Sequence, residues 1–294
     1  MPYPPTARQQ RRERRRPDFL CIGAQKAGTS WLAANLSAHP QVWSPYRKEL
    51  HHFVARHLKG DSIERRRERT MQHLRVAMKA AKALGNRPRL VRHLRGLNDP
   101  ERIFTEEWYE AVFALAPLNK AAGEYTPRYS TLPEEGVEDV RRSCPEARIV
   151  WILRDPADRN LSGFRMHLAR RGIAPDDAAG VERLARAWLE TEAPDRGDYA
   201  DYVARWEARW TPGETLLYLP FGRLKRDPRG FLAEVEALLG LDPFEDWPKL
   251  TDQVNRTPKA PLPDWFVETI RERSEPHRRF IERHLGRDFA AELD

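Results

Sequence analysis

The stretch Phe19–Leu36 constrains the fold more than any other part of this sequence. It opens with a short apolar run that ends at Gly23, and such a run predicts a buried β-strand. Leu32 and Leu36 follow at helical spacing among small residues, which predicts a helix. The loop between them is short, and its free N–H groups together with the positive end of the helix dipole favour an anion. The sequence therefore predicts a strand–loop–helix cradle for a phosphate group.

The loop differs from the usual nucleotide-binding P-loop at one position. Gly23 and Gly28 have the spacing of the two P-loop glycines, and Ser30 occupies the Ser/Thr position. Thr29, however, stands where that motif has the lysine that contacts the β- and γ-phosphates, and the lysine of this loop is Lys26. A nucleoside triphosphate is therefore disfavoured. A βα turn that needs small residues only for close packing stays an alternative, since short glycine-containing loops are weak evidence.

Strand and helix patterns alternate along the rest of the chain. The clearest strand is Ile149–Leu153, which is apolar throughout, as in a central parallel strand covered on both faces. Three further segments show strand patterns, namely the region near Val42, residues 120–124 and Thr215–Pro220. The last two helices are predicted to begin near Asp264 and near Pro276. This alternation predicts an α/β fold with a P-loop-like, doubly wound parallel sheet flanked by helices.

Two segments fall outside the alternation. Residues 1–16 are rich in arginine and have few apolar residues, which predicts a disordered basic tail, with 17–294 as the folded domain. Residues 56–105 predict a basic helical insertion with a second helix near Leu90–Leu97. The insertion is either a solvated helical pair or a basic wall over an acidic acceptor. The net charge of +7 fits an anionic ligand, an anionic membrane surface or nucleic acid, and does not choose among them.

The cysteines and the N-terminus predict a cytoplasmic protein. Cys21 and Cys144 are the two cysteines, and they form neither a disulfide framework nor a zinc pattern. The N-terminus has no apolar signal region, and no run of about 18 apolar residues occurs that would span a membrane. Two reduced thiols are typical of the cytosol.

A second candidate anion site follows the clearest strand. Asp155 can cap a helix and Pro156 fits its first turn, so Arg154 lies at the carboxyl end of a parallel strand, where open α/β sheets bind ligands. Its planar guanidinium matches a phosphate, and Ser162 follows two turns later. Alternatively, Arg154 pairs with a carboxylate and Ser162 is an ordinary surface residue.

These segments together resemble the sulfotransferases that use 3′-phosphoadenosine-5′-phosphosulfate (PAPS), in particular the bacterial relatives of the heparan sulfate and other glycosaminoglycan sulfotransferases. The first loop resembles the family's phosphosulfate-binding loop, and Arg154 with Ser162 resembles its 3′-phosphate motif. A looser match over 255–259 implies a nucleotide contact from Lys259. The resemblance thus implies nucleotide contacts from Gln25, Lys26, Ala27, Gly28, Thr29, Ser30, Trp31, Arg154, Ser162 and Lys259.

A third segment, Lys48–Phe53, resembles the family's Lys-Glu-x-His-x-Phe sequence. The resemblance implies that Glu49 is the base, that Lys26 stabilises the leaving phosphate, and that His51 orients the acceptor or Glu49. His51 or His52 would be the base if the chemistry is closer to that of the His-dependent sulfotransferases. Two adjacent histidines also fit a metal site, but no local carboxylate or cysteine completes one, so no metal is predicted.

The acceptor is less defined than the donor. The segment Gly123–Tyr129 resembles the family's Glu-Lys-Thr-Pro-x-Tyr, with Tyr125 in place of the lysine, and this disfavours a heavily anionic sugar. The implied acceptor contacts are Lys48, His52, Tyr125, Thr126 and Tyr129. A hydroxyl or amine of a glycan, a lipid or a small metabolite stays open, and neither a specific nucleic acid nor an oligomeric state is predicted. The alternatives are a P-loop nucleotide kinase or a non-enzymatic basic protein that binds RNA or lipid.

Overall fold

The protein is an α/β fold built on one parallel sheet. The computed structural model describes residues 15–60, 62–83, 87–190, 196–252 and 260–294. The five strands are β1 (Phe19–Gly23), β2 (Val42–Trp43), β3 (Ala121–Tyr125), β4 (Arg148–Leu153) and β5 (Leu216–Pro220). Their order is β2-β3-β1-β4-β5, and every pairing is parallel. The predicted sheet is therefore confirmed.

Strand β1 lies at the centre of the sheet, between β3 and β4. Phe19 is in register with Gly123 on one side and with Arg148 on the other. A Cβ at Gly123 would lie 2.0 Å from the Phe19 ring, so glycine lets this ring cross β3. Strands β2 and β3 lie on one side of β1, and β4 and β5 lie on the other, so the strand order reverses next to β1. Such a switch point is where open α/β sheets bind ligands, outside the carboxyl ends of the strands.

Helices cover both faces of the sheet. In the described residues they are α1 (Thr29–Leu36), α2 (His52–His57), α3 (Ile63–Ala83), α4 (Pro88–Leu97), α5 (Glu106–Phe113), α6 (Glu134–Ser143), α7 (Pro156–Arg170), α8 (Ala178–Leu189), α9 (Tyr199–Glu207), α10 (Arg223–Arg226), α11 (Pro228–Leu239), α12 (Asp264–Leu285) and α13 (Arg287–Ala291). Helices α3 and α4 pack on each other and bury Leu74 and Leu94 in the main core. The helical prediction for this segment is confirmed. Within the described ranges, no helix is long and apolar enough to cross a bilayer.

The prediction of two separate helices near the end of the chain is wrong. Helix α12 continues through Pro276, which lies inside it. An internal proline costs about 3 kcal/mol because it removes a backbone hydrogen bond and crowds the preceding turn. Phe266, Ile270 and Ile281 are buried on one side of the helix, which packs on α7 and α9. The continuous buried face offsets the cost of the proline.

The folded domain begins earlier than predicted. Arg15, which was assigned to the tail, donates to the Lys120 carbonyl at 2.6 Å and pairs with Asp18 at 3.0 Å. Arg16 forms ion pairs with Glu106 and Glu110. Both arginines therefore belong to the fold, and the rest of the predicted tail, residues 1–14, lies outside the described residues.

Candidate active site

The loop between β1 and α1 has the geometry of an anion cradle. Gly28 begins α1 with φ +82°, and Lys26 also has a positive φ of 72°. A Cβ at Gly28 would lie 2.5 Å from Leu224 Cδ1, so this position requires glycine for both conformation and space. No side chain caps the first turn of α1, which leaves its N–H groups to an anion.

The side chains of the loop divide into two groups. Ala27, Thr29 and Trp31 are buried, and Trp31 packs edge-on against Phe231 at a centroid distance of 5.7 Å. Thr29 and Trp31 can offer a nucleotide their backbone amides, whereas the Ala27 N–H already donates to the Ala24 carbonyl at 3.2 Å. The other predicted contacts, Gln25, Lys26, Gly28 and Ser30, are partly exposed.

Arg154 joins the two predicted anion sites. Its Nη1 donates to the Lys26 carbonyl at 3.0 Å, so the guanidinium lies against the loop after β1. Its backbone N–H donates to the Tyr199 hydroxyl at 3.2 Å, and that hydroxyl donates to the Arg154 carbonyl at 3.0 Å. The Phe221 ring lies 4.7 Å from the guanidinium carbon. These contacts fix the arginine at the carboxyl end of β4.

The guanidinium of Arg154 is not neutralised by a buried carboxylate. Asp158 approaches it to only 3.8 Å and is half-exposed, while Asp155 caps α7 by accepting from the backbone of Ala157 and Asp158, as predicted. Arg154 Nε is buried without a hydrogen-bond partner. Burial lowers the pKa of Arg154. A buried, incompletely paired guanidinium fits an anionic ligand.

Two further cations approach this loop, and the sequence analysis did not predict them. Burial lowers the pKa of Lys26, and the charges of Arg154, Arg170 and Arg159 lower it further. Arg159 and Arg170 lie on α7, and Arg159 is 2% exposed. Their spacing from Ser162, which is half-buried on the same helix, follows steps of three to four residues and could have revealed them. Four positive charges therefore converge at this edge of the sheet.

Glu49 lies in a strained loop beside the sheet edge. Glu49 and His51 have φ of 64° and 60°, a conformation that non-glycine residues rarely adopt. The Glu49 N–H donates to the Tyr125 carbonyl at 3.0 Å, which ties the loop to the end of β3. Lys48 Nζ donates to Glu49 Oε1 at 2.8 Å, and His51 Nε2 lies 3.2 Å from Oε2. Burial raises the pKa of Glu49, but His51 and Lys48 outweigh it and lower the pKa to about 2.

Four of the predicted acceptor contacts have buried side chains. His52 is fully buried and stacks on Tyr109 at 4.3 Å. The hydroxyls of Thr126 and Tyr129 donate to Glu124 Oε1, each at 2.7 Å. Tyr125 is 2% exposed. Their side chains therefore pack in the core, and their roles in acceptor binding, and that of His52 as the alternative base, stay predictions.

Glu124 is the buried carboxylate that these side chains surround. It accepts a third hydrogen bond from Tyr109 at 2.5 Å. Burial raises its pKa, and the hydrogen bonds from Tyr109, Tyr129 and Thr126 oppose that rise. Because Tyr109 also stacks on His52 at the start of α2, Glu124 braces the segment that carries Glu49 and His51.

The last features to compare are Lys259, the predicted absence of a metal site, and a cleft on another edge of the sheet. Lys259 lies outside the described residues. In the described part of the chain, the one group with metal-ligand spacing is Asp198, Asp201 and His277, which contains neither His51 nor His52. A cleft of about 560 Å³ lies at the amino edge of the sheet beside Asp18 and Ala147, opposite the converging cations.

Comparisons with known proteins identify the relatives of this chain. The sulfotransferase family profile matches residues 17–246. Heparan sulfate glucosamine 3-O-sulfotransferase 6 of Mus musculus and of Homo sapiens is 23% identical over 235 residues, which are 78% of this chain and 53% of those proteins. The bifunctional heparan sulfate N-deacetylase/N-sulfotransferase 2 of Homo sapiens is 22% identical over 240 residues, which are 78% of this chain and 22% of that protein.

The fold has a counterpart among solved structures. A sulfotransferase from Alicyclobacillus acidocaldarius aligns with a TM-score of 0.60 and 23% identity, over 92% of this chain and 95% of that chain. This chain spans about half the length of the 3-O-sulfotransferases it matches. Because the family profile covers most of its residues, the chain belongs to the sulfotransferase family.

Proposed function

We propose that the protein transfers a sulfuryl group from PAPS to a hydroxyl or amine of an acceptor, without a metal. The observation that carries the proposal is the hydrogen bond between Arg154 and the Lys26 carbonyl, because it places the two candidate anion sites side by side. A ligand whose ribose carries phosphates at the 3′ and 5′ positions matches two adjacent cation sites. The 3′-phosphate is what distinguishes PAPS from ordinary adenine nucleotides.

The residues present fit this donor. The backbone of Gln25–Trp31 with Lys26 would hold the phosphosulfate end, and Arg154 with Ser162 would hold the 3′-phosphate. When bound, PAPS supplies the sulfuryl group and a phosphate as the leaving group. Arg159 and Arg170 add positive charge beside Lys26, in the role that a metal ion plays in many phosphoryl transfers.

Glu49 would take the proton of the acceptor. A carboxylate whose pKa is about 2 is a weak base while Lys48 and His51 both contact it. An acceptor hydroxyl that displaces one of these contacts removes a stabilising partner and raises the pKa of Glu49 toward a useful value. Lys48 and His51 would then hold the acceptor and keep the carboxylate aimed at it.

The acceptor class rests on the family alone. Named relatives act on heparan sulfate, as their names state, and we infer only a hydroxyl- or amine-bearing glycan, lipid or small metabolite for this chain. Cytoplasmic location stays a prediction, supported by Cys21 and Cys144, which are buried and free.

A transfer assay tests the proposal. PAPS labelled in the sulfuryl group is incubated with the protein and a fractionated cell extract, and label is followed into extract components. Wild-type protein should label an acceptor, and Arg154→Ala should label it far more slowly. A phosphotransferase would transfer no label from PAPS and would instead label extract components from a nucleoside triphosphate labelled in its γ-phosphate, in the presence of Mg²⁺.

A further inference from the structure

The positive charge of the chain is concentrated in one stretch. Residues 69–98 contain eight lysines and arginines and no aspartate or glutamate, so they carry +8, while all other residues together sum to −1. This stretch forms most of α3 and all of α4. The candidate active site uses none of these charges, so they need a separate explanation.

Most of these cations face solvent without an anionic neighbour. Seven are exposed, and within the described ranges none of the seven forms an ion pair or a side-chain hydrogen bond: Arg75, Lys79, Lys82, Arg87, Arg89, Arg92 and Arg95. Elsewhere in the fold, exposed arginines such as Arg186 and Arg229 pair with glutamates. We name the seven residues the cationic face; their mutual repulsion is relieved when an external polyanion or an anionic surface binds them.

An apolar cleft adjoins the cationic face. It has a volume of about 560 Å³ and is lined by Trp43, Arg87, Pro88, Arg89, Leu90 and Leu115. Leu115 is 40% exposed in it, and Val76, on α3 next to Arg75, is 63% exposed. An apolar cleft rimmed by Arg87 and Arg89 matches a ligand that joins a hydrocarbon chain to a phosphate, and its mainly aliphatic lining favours a lipid chain over a stacked base.

We propose that the cationic face docks this protein on an anionic phospholipid bilayer, with a lipid chain in the Leu90–Leu115 cleft and its phosphate between Arg87 and Arg89. Basic clusters of this size are attracted to the negative surface of such bilayers. The inference goes beyond the proposed function and does not depend on it.

Vesicle co-sedimentation tests the charge. The full chain is mixed with phosphatidylcholine vesicles and with vesicles that also contain phosphatidylserine. Arg75→Gln, Lys79→Gln and Lys82→Gln are combined in one variant. The matched control combines Arg183→Gln, Arg271→Gln and Arg283→Gln, which remove three exposed charges from α8 and α12. Wild type should prefer the anionic vesicles; each charge lost from the face should weaken binding about fivefold, so about a hundredfold for three.

Leu115→Gln tests the lipid chain in the cleft. Salt screens the charges but not an apolar contact, so this variant should bind more weakly than wild type by a similar factor at low and at high salt. Equal binding to both kinds of vesicle, equal weakening by the two triple variants, or unchanged high-salt binding of Leu115→Gln would each overturn the proposal. Binding of the wild type to single-stranded RNA but not to vesicles would also overturn it, in favour of a nucleic-acid surface.

Discussion

Replacing Glu49 with glutamine should separate chemistry from nucleotide binding. The substitution keeps the size of the side chain and removes the only carboxylate that Lys48 and His51 both contact in the described structure. Loss of a general base costs about 10²–10⁴ in rate. We expect the rate of single-turnover transfer at saturating PAPS to fall by this factor. Nucleotide binding should stay nearly unchanged, because Glu49 lies in the loop before α2 while the proposed donor contacts lie in the loop before α1 and on α7.

Two variants provide the comparison for Glu49→Gln. Lys26→Ala should weaken both donor binding and turnover, because Lys26 lies in the anion loop. His51→Ala should be intermediate if His51 only orients Glu49 or the acceptor. If Glu49→Gln keeps near-normal turnover while His51→Ala is inactive, His51 is the base and Glu49 its positioning partner. Such a result would refute the assignment.

The pH dependence of stability gives an independent check on the same carboxylate. The folded state lowers the pKa of Glu49 from 4.5 to about 2, so its ionic contacts stabilise the protein above about pH 4.5 and are lost as the pH falls toward 2. Glu49→Gln should therefore be less stable than wild type at neutral pH. The difference should shrink in acid, as measured by denaturant unfolding at several pH values; a difference that does not change with pH would contradict the ionic contacts.

Two further predictions concern the anion loop and the start of the chain. Gly28→Ala should destabilise the fold by more than the roughly 1–2 kcal/mol that a left-handed alanine costs, because Leu224 must also move. The matched control is Gly213→Ala, which has φ +80° and open space, so it should cost only the conformational free energy. Thermal unfolding of the two variants measures the difference. Chains that begin at Arg15 and at Pro17 should both keep transfer activity, but the shorter one should lose about 1–3 kcal/mol of unfolding free energy with the contacts of Arg15 and Arg16. Equal stability of the two chains would show that these contacts contribute nothing.

The sequence predicted the sheet edge well because its signals are local. The apolar run before Gly23, the glycine at the left-handed Gly28 and the Asp155–Pro156 helix start each depend on neighbouring residues. They predicted Lys26 and Arg154 each just after a strand, and in the structure these two strands are neighbours and the two residues are in contact.

The differences between the sequence analysis and the structure mostly concern the direction in which side chains point. His52 and Thr126 stand in motifs beside reactive residues, and nothing in their local pattern shows that they turn into the core around Tyr109 and Glu124. Arg159 and Arg170 were missed because their relevance depends on α7 lying against the loop. The sequence predicts a helix boundary at Pro276 because an internal proline destabilises a helix, and the tertiary packing that offsets this cost cannot be read from neighbouring residues.

The most direct test of the account is a metal-free calorimetric titration of wild type and Arg154→Ala with adenosine 3′,5′-bisphosphate and with AMP. The two nucleotides differ only in the 3′-phosphate that Arg154 is proposed to bind. Wild type should bind the bisphosphate more tightly, and Arg154→Ala should lose about 1.5–3 kcal/mol for the bisphosphate and little for AMP. Equal affinity of the wild type for both nucleotides, or a strict requirement for Mg²⁺, would contradict the PAPS assignment.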